Sequence, residues 1–391
     1  MIPRHRPEFG VADLIRAIVP TAEPDLSSVL PRELGRTHGW WTPSGRAALA
    51  VALEATGARR AVVPAFNCWA VMEALQRARV EPVFVDVGDD LNPDVDQSLD
   101  RVQRAGPETV LLLTHQFGIP MASTAALIDV ARAREVPIVE DAAAAIGART
   151  DAGPAGSNGT ASVLSFQYTK SVFAGDGGLL LTSGSFADRI RPRVSTFRRR
   201  GLALSKREWI RLLAIGVLTH PSLYGWSIHR WLPPEGTFNE RGAQAPMRAF
   251  QTLPSTWMRR LAARTWRRVD TVLESRRRLA RRYLEGLADH PVGMVPKIAT
   301  EDAAPIRFPM FVKDRASFIE RCATRGLDLG RSFAYTCSDG AGFPRAERVA
   351  ASIVNLPLTA RLAGRADRIV EIVAQALLAG RERGISDPRA Q

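Results

Sequence analysis

Lysine is nearly absent from this chain of 391 residues. Lys170, Lys206, Lys297 and Lys313 are the four among 53 basic residues, so the other 49 are arginine. Arginine stays protonated and cannot act as an amine nucleophile, so almost all of the chain's positive charge is excluded from that chemistry. Cysteine is as sparse. Cys68, Cys322 and Cys337 are too few and too scattered for a disulfide framework or a zinc knuckle. A reducing, cytoplasmic setting is therefore expected, with no metal. A confident membrane span is lacking, because the greasiest stretch, between Arg211 and Arg230, is short and broken at Pro221. The opening "MIPRHRPEFGVADL" is polar and punctuated by proline, unlike a secretory signal. Acidic residues number 40 against those 53 bases, leaving a net charge of +13. The excess collects in residues 189–200 and 259–282, either as solvated helix faces or as an attraction for anions such as a diphosphate or an acidic membrane surface. Nucleic acid is not an expected partner, since no binding motif and no interleaving of aromatics with the bases is present.

What the chain has is rhythm. The runs 61–66, 82–87, 109–115, 136–142, 162–166 and 178–182 are apolar and short, and read as buried strands. Amphipathic patterns, "WAVMEALQRA", "DVDQSLDRVQRA" and "TAALIDVARARE", lie between the first four. Such alternation predicts an α/β fold with a mostly parallel sheet covered on both faces. Ligands of such sheets sit at the carboxyl ends of the strands, where Phe66, His115, Asp141 and the stretch Gln167 to Lys170 fall. Residues 200–235 break the rhythm. A long helical pattern over 245–287 follows. Then come a strand in 304–314, a helix over 315–326 and a last helix over 365–384, enough for a small α/β domain. The division expected is a large domain over 1–245 and a linking helix with a small domain over 246–391.

Lys170 stands in "VLSFQYTKSVFAGDGGLLLT", between an apolar strand and a glycine turn. A lysine in a desolvating pocket can lose its proton and form a Schiff base with a carbonyl. Pyridoxal phosphate is the usual electron sink for that chemistry, and its site needs the lysine, an acid beside the ring nitrogen and phosphate donors. Asp141, in "VEDAAAAIGA", ends a strand and suits the acid. "PSGRAAL" is a glycine turn opening a helix, a means of presenting N–H groups to phosphate. Ser165 adds a hydroxyl just before Lys170. Each feature alone is commonplace; their order and spacing together are not.

The chain resembles the DegT/DnrJ/EryC1/StrS sugar aminotransferases, of fold type I among pyridoxal-phosphate enzymes. The resemblance runs through "IPRHRPEF", "SGRAAL", "VVPAFNCWAV", "PVFVDV", "THQFGIP", "VEDAAAAIGA", "SFQYTKSVFAGDGG", "FNERG" and "IRFPMFVKDRASFIERCATRGLDLG". It implies that Lys170 holds the cofactor and moves the proton, that Asp141 meets the pyridine nitrogen, and that Gly45, Arg46 and Ser165 hold the phosphate. It implies that Asn239 reaches the cofactor of a neighbouring subunit, hence a homodimer with shared sites. The family's glutamine is Ala144 here, its ring-stacking aromatic falls on Cys68, its threonine of the phosphate turn is Arg46, and its tyrosine beside Asn239 is Glu240. Either Phe66 or Trp69 substitutes for the stacking ring, or the stack is absent. His115, Gln167 and Arg241 are candidates for supporting the cofactor site or touching substrate, and His115 reads foremost as structural.

The implied activity converts a keto group of a nucleotide-activated sugar to an amine, with an amino acid such as glutamate as donor. The alternatives are a cyclitol or lipid-linked keto sugar as acceptor, and a cofactor-binding regulator without turnover. The insert 207–234, with Trp209, Trp226 and Trp231 beside Arg207, Arg211 and Arg230, reads either as a helical cover over the active site or dimer interface, or as two short helices lying on a membrane.

Overall fold

A computed structural model of the chain describes residues 1–20, 23–227, 241–330 and 333–385. Five strands come first: β1 (His38–Thr42), β2 (Arg60–Pro64), β3 (Glu81–Val85), β4 (Thr109–Thr114) and β5 (Ile138–Asp141). A small hairpin of β6 (Arg149–Thr150) and β7 (Gly153–Pro154) leads to β8 (Ala161–Ser165) and β9 (Gly178–Thr182). Apart from the hairpin they form one sheet in the order β1-β9-β8-β5-β4-β2-β3. From β3 to β8 the neighbours are parallel, while β9 is antiparallel to β8 and β1 to β9. All six apolar runs are strands. The sequence reading did not foresee β1, an edge strand of sequence HGWWT. Trp41 anchors it, donating to Asp25 Oδ1 (2.6 Å) and packing on Phe166.

The helices of the first half are α1 (Val11–Ile18), α2 (Leu26–Glu33), α3 (Gly45–Thr56), α4 (Trp69–Ala78), α5 (Val95–Gln103), α6 (Thr124–Ala133) and α7 (Phe186–Val194). Strand β4 shows why they cover both faces. Val110 and Leu112 pack with the α3 residues Ala48, Leu49 and Ala52, whereas Leu111 and Leu113 pack with Leu127 and Ala131 of α6. An apolar residue at every position of a strand is what burial on both faces requires.

The insert forms α8 (Leu202–Leu218) and α9 (Pro221–Ser227). Residues 228–240 lie outside the described residues, and with them Arg230, Trp231, Asn239 and Glu240. Leu212 of α8 packs with Phe9, Phe173 and Leu261, so the insert covers the back of the lysine loop. Among the described residues no helix is long and apolar enough to cross a membrane.

The helical stretch expected over 245–287 is broken into α10 (Arg248–Gln251), α11 (Thr256–Trp266) and α12 (Val269–Gly286). Pro254 explains the first break, since proline lacks an N–H and disfavours helix in the residue before it. The smaller sheet is antiparallel: β10 (Gly293–Met294), β11 (Phe308–Phe311) and β12 (Ile353–Leu356). Helices α13 (Arg315–Thr324), α14 (Pro344–Ser352) and α15 (Ala366–Ile385) accompany it. Helix α12 serves both cores. Its Leu273 packs under the large sheet, and its Leu279 and Tyr283 pack with Phe308, Leu356 and Ile372.

Candidate active site

The parallel strands β2, β4, β5 and β8 end on one side of the sheet, and the chain order reverses between β2 and β4. Loops after these ends carry the residues of interest, as expected at a topological switch point. Pairing of Thr114 with Asp141 sets His115 and Asp141 at the same level.

Lys170 sits in the loop after β8. Its N–H donates to the Gln167 carbonyl (2.9 Å), and Ala174 N–H donates to the Phe166 carbonyl (2.9 Å), which folds the loop back on itself. Gly175 and Gly177 close it with φ of +95° and +106°, a region that favours glycine. The Lys170 side chain is half-buried, and among the described residues it has no hydrogen bond or ion pair. Burial lowers its pKa, while Cys68 and Asp141 pull the other way and the Arg307 guanidinium adds to the lowering. The result is an amine that gives up its proton more readily than an exposed lysine.

The Asp141 carboxylate accepts from Ala143 N–H through Oδ1 (3.0 Å). Burial raises its pKa, opposed by the Ala143 bond and the Lys170 charge. With one oxygen committed, the carboxylate can still meet a protonated ring nitrogen. Ser165 lies against the first turn of α3: a Cβ built on Gly45 would fall 2.9 Å from Ser165 Cβ and 3.2 Å from its Oγ. Only glycine lets the helix start that close. The Ser165 hydroxyl has no hydrogen bond among the described residues, and the first N–H groups of α3 have no partner within the helix. A free hydroxyl beside a helix N-terminus is a donor set suited to phosphate. The amine, carboxylate and hydroxyl thus fit pyridoxal phosphate. Arg46 enters differently from the expectation. Its guanidinium pairs with Glu73, both nearly buried, and Glu73 also accepts from Ala245 N–H (2.6 Å). What Arg46 offers at the helix start is its backbone.

His115 is consumed by structure. Met121 N–H donates to its Nδ1 (3.0 Å), so Nε2 carries the proton and donates to Glu140 Oε1 (3.0 Å). Glu140 is fully buried and also accepts from Gly156 N–H, Asn158 N–H, Asn158 Nδ2 and the Ser162 hydroxyl. Burial works against its charge, but these bonds hold its carboxyl below the usual range. Phe66 is withdrawn into the core between Phe117 and Phe333, with no exposed surface. Trp69 is half-buried at the start of α4, edge-on to Tyr335, and its N–H donates to Tyr335 Oη (2.9 Å). Gln167 is half-buried and contributes its carbonyl to the lysine loop. Arg241 is exposed and reaches Asp339 Oδ1 (2.5 Å) and the Ser338 carbonyl (3.3 Å). Asn239 lies outside the described residues.

Sequence reasoning missed residues from the C-terminal part of the chain that lie at the site. Arg307, preceding β11, stacks over Phe333 (5.8 Å) and lies near enough to Lys170 for its charge to be felt. Cys337 N–H donates to the Ala65 carbonyl (2.7 Å), pinning its loop on the end of β2. The Cys68 thiol, raised by burial, feels the charges of Lys170, Arg46 and Asp141, and burial, with a smaller part from Cys68, raises that of Cys337. No local spacing links positions 68, 307 and 337. Among the described residues no cluster suits a metal ion.

The model of the DegT/DnrJ/EryC1/StrS aminotransferase family matches residues 25–220. An L-glutamine:scyllo-inosose aminotransferase of Streptomyces griseus is 30% identical over 172 residues, 42% of this chain and 40% of that protein. The chain thus matches about two fifths of the length of that relative. A dTDP-3-amino-3,4,6-trideoxy-alpha-D-glucose transaminase of Micromonospora megalomicea is 26% identical over 366 residues, 88% of this chain and 86% of that one. In fold, a putative sugar aminotransferase of Streptococcus pneumoniae superposes with a TM-score of 0.73 at 17% identity, over 97% of this chain and all of the other (100%).

Proposed function

The chain belongs to the DegT/DnrJ/EryC1/StrS aminotransferase family, and we propose that it aminates a keto group on a nucleotide-activated sugar, with pyridoxal phosphate as cofactor and glutamate as amino donor. The observation that carries this reading is Lys170: a half-buried amine of lowered pKa, free of hydrogen bonds among the described residues, facing Asp141. Pyridoxal phosphate, when bound, supplies the electron sink that makes a proton next to the amine removable. Lys170 Nζ, neutral in a larger fraction than a solvated lysine, would hold the cofactor and, once displaced by the donor amine, would carry that proton away from the donor carbon. Asp141 keeps a proton at the ring nitrogen through its uncommitted oxygen. Ser165 Oγ and the N–H groups of Gly45 and Arg46 bind the phosphate. Trp69 stands at the rim, and Gln167 shapes the loop that aims Lys170.

The acceptor reading rests on the relative that covers most of the chain, a transaminase of a dTDP-sugar. The inosose enzyme favours a second acceptor class, a cyclitol ketone. The working unit in this proposal is a homodimer in which Asn239 completes the partner's phosphate site.

The test is visible absorption of the purified chain with pyridoxal phosphate, before and after glutamate, beside Lys170→Ala. A yellow chromophore that glutamate bleaches, and that the variant does not form, is the expected outcome. A bound chromophore indifferent to every amino donor would make the protein a binder without turnover. Failure to bind the cofactor would end the proposal. Keto forms of nucleotide sugars and of cyclitols, offered to the bleached protein, then decide the acceptor.

A further inference from the structure

Helices α1, α8 and α9 leave an apolar face uncovered. On α1, Leu14 and Ala17 are buried, and Val11, Ile15 (54% exposed) and Ile18 are exposed, as is Val19 just past its end. On α8, Ser205 and Leu212 are buried, while Leu202 (72%), Ile210 (61%) and Val217 lie outward at helical spacing. On α9, Leu223 and Trp226 are exposed, Trp226 at 90%. The three helices are joined. Trp209 of α8 donates to the Leu14 carbonyl of α1 (3.4 Å), and Leu223 and Tyr224 of α9 turn back on His220, just past α8. The Tyr224 hydroxyl donates to Asp328 Oδ2 (2.5 Å), and Arg4 Nε donates to the same oxygen (2.7 Å), so α9 is fixed on the body of the protein. A tryptophan this exposed on an anchored helix, in a patch shared by three helices, marks an interaction surface.

Cations rim it. Arg16, Lys206 and Arg207 are exposed on α1 and α8, whereas the acids of those helices are spent: Asp13 on Arg268 and Glu208 on Arg211. Beside α9, a cavity of about 340 Å³ is lined by Pro221 and Ser222 on one side and by Arg325, Arg365 and Arg368 on the other. Arg365 has no carboxylate partner among the described residues. Burial, and then the charges of Arg361 and Arg365, lower the pKa of nearby Arg6. Guanidinium groups crowded in this way favour an anion.

We propose that this face docks the protein on an anionic lipid bilayer, with α1, α8 and α9 lying in the plane of the interface and the arginine cavity taking a lipid phosphate. Tryptophan with arginine or lysine at the edge of an apolar face is the composition that lies in a bilayer interface. A second copy fits less well, because two such faces would bring their cations together. The claim is independent of the reaction catalysed.

Flotation of the full chain tests it, with vesicles of phosphatidylcholine alone and of phosphatidylcholine containing phosphatidylglycerol. The protein is expected to float with the anionic vesicles, to stay behind with the neutral ones, and to be released by salt. A double variant Ile210→Gln/Trp226→Gln is expected to lose flotation. Arg365→Gln/Arg368→Gln is expected to weaken it by about fivefold, the share of Arg365, since Arg368 is paired with Glu371 (2.6 Å). All four side chains are exposed, so the variants should melt with the parent. No flotation of the parent, or equal flotation of parent and variants, would overturn the proposal. So would a dimer that falls to monomers in Ile210→Gln/Trp226→Gln, since the face would then belong to a second copy.

Discussion

Replacing Glu140 by glutamine tests how the floor of the site is held. Two oxygens of Glu140 take five donors. Oε1 accepts from His115 Nε2, Gly156 N–H and Asn158 Nδ2; Oε2 accepts from Asn158 N–H (2.8 Å) and the Ser162 hydroxyl (2.9 Å). An amide has one acceptor oxygen, so its NH₂ must face donors. The less damaging orientation puts NH₂ at the Oε2 position. The Ser162 hydroxyl can turn and accept, but Asn158 N–H cannot, and it becomes a buried orphan costing about 1–3 kcal/mol. The bonds remaining at Oε1 lose their charge assistance. Together the loss is about 3–5 kcal/mol, the range found when one partner of a buried charged cluster is removed. With a urea slope of about 2–3 kcal/mol per M, the midpoint of Glu140→Gln should fall by roughly 1–2 M. The pH dependence gives an independent sign. The folded pKa of Glu140 is depressed, so its contribution is complete above the unfolded value near about 4.3 and is lost as pH falls through the folded one. Parent and variant should therefore converge in acid. A midpoint shift below about 0.3 M at neutral pH, or a gap that persists in acid, would refute the account of this cluster.

Three further outcomes follow from the same geometry. Lys170→Arg keeps a cation but removes the nucleophilic amine, so it should fail to form the chromophore with pyridoxal phosphate while melting near the parent; a chromophore like the parent's would mean another amine does the work. Arg307→Gln removes a positive charge near Lys170, so the Lys170 pKa should rise and the pH profile of glutamate bleaching should move to higher pH; an unmoved or acid-shifted profile would count against that proximity. Gly45→Ala places a methyl 2.9 Å from Ser165 Cβ and should push α3 from β8, at a cost of about 1–3 kcal/mol, with weaker cofactor binding measured by titration at fixed protein concentration.

The sheet was legible because strands covered on both faces are dominated by apolar residues, and the six runs are, with polar residues gathered mostly at their carboxyl ends. Strand β1 was not legible, since HGWWT is an edge strand defined by the partner it pairs with and by the Trp41 bond to Asp25. The helix expected over 245–287 failed at Pro254, a local rule that the overall helical pattern masked. At the site, Asp141, Ser165 and Lys170 lie close together along the chain while Gly45 lies far before them, and the structure brings all four to one end of the sheet. What the sequence hid were choices made by packing. Phe66 looked free to face a ligand, yet Phe117 and Phe333 enclose it; Arg46 looked like a phosphate ligand, yet Glu73 holds its guanidinium.

The altered positions divide by what they touch. Cys68 and Ala144 replace groups that the family resemblance assigns to the cofactor ring, and Arg46 replaces the threonine of the phosphate turn, whereas the lysine, the acid, Gly45 and Ser165 stand unaltered. Cys68 still lies among Lys170, Arg46 and Asp141, so a smaller, more polarizable side chain fills the place expected for an aromatic. Loss of a ring stack weakens the hold on a planar cofactor without removing a proton carrier. Proton transfer depends on Lys170 and Asp141, and neither relies on Cys68 for a hydrogen bond among the described residues. The affinity for cofactor and the rate of proton transfer should therefore separate. Cys68→Tyr is expected to tighten pyridoxal phosphate binding by about fivefold, the middle of the range of an aromatic contact. The pH profile of bleaching should stay in place at pH values where the buried Cys68 thiol, raised by burial, is uncharged and exerts no pull on Lys170. A profile that moves in that range would mean that an uncharged Cys68 also acts on Lys170.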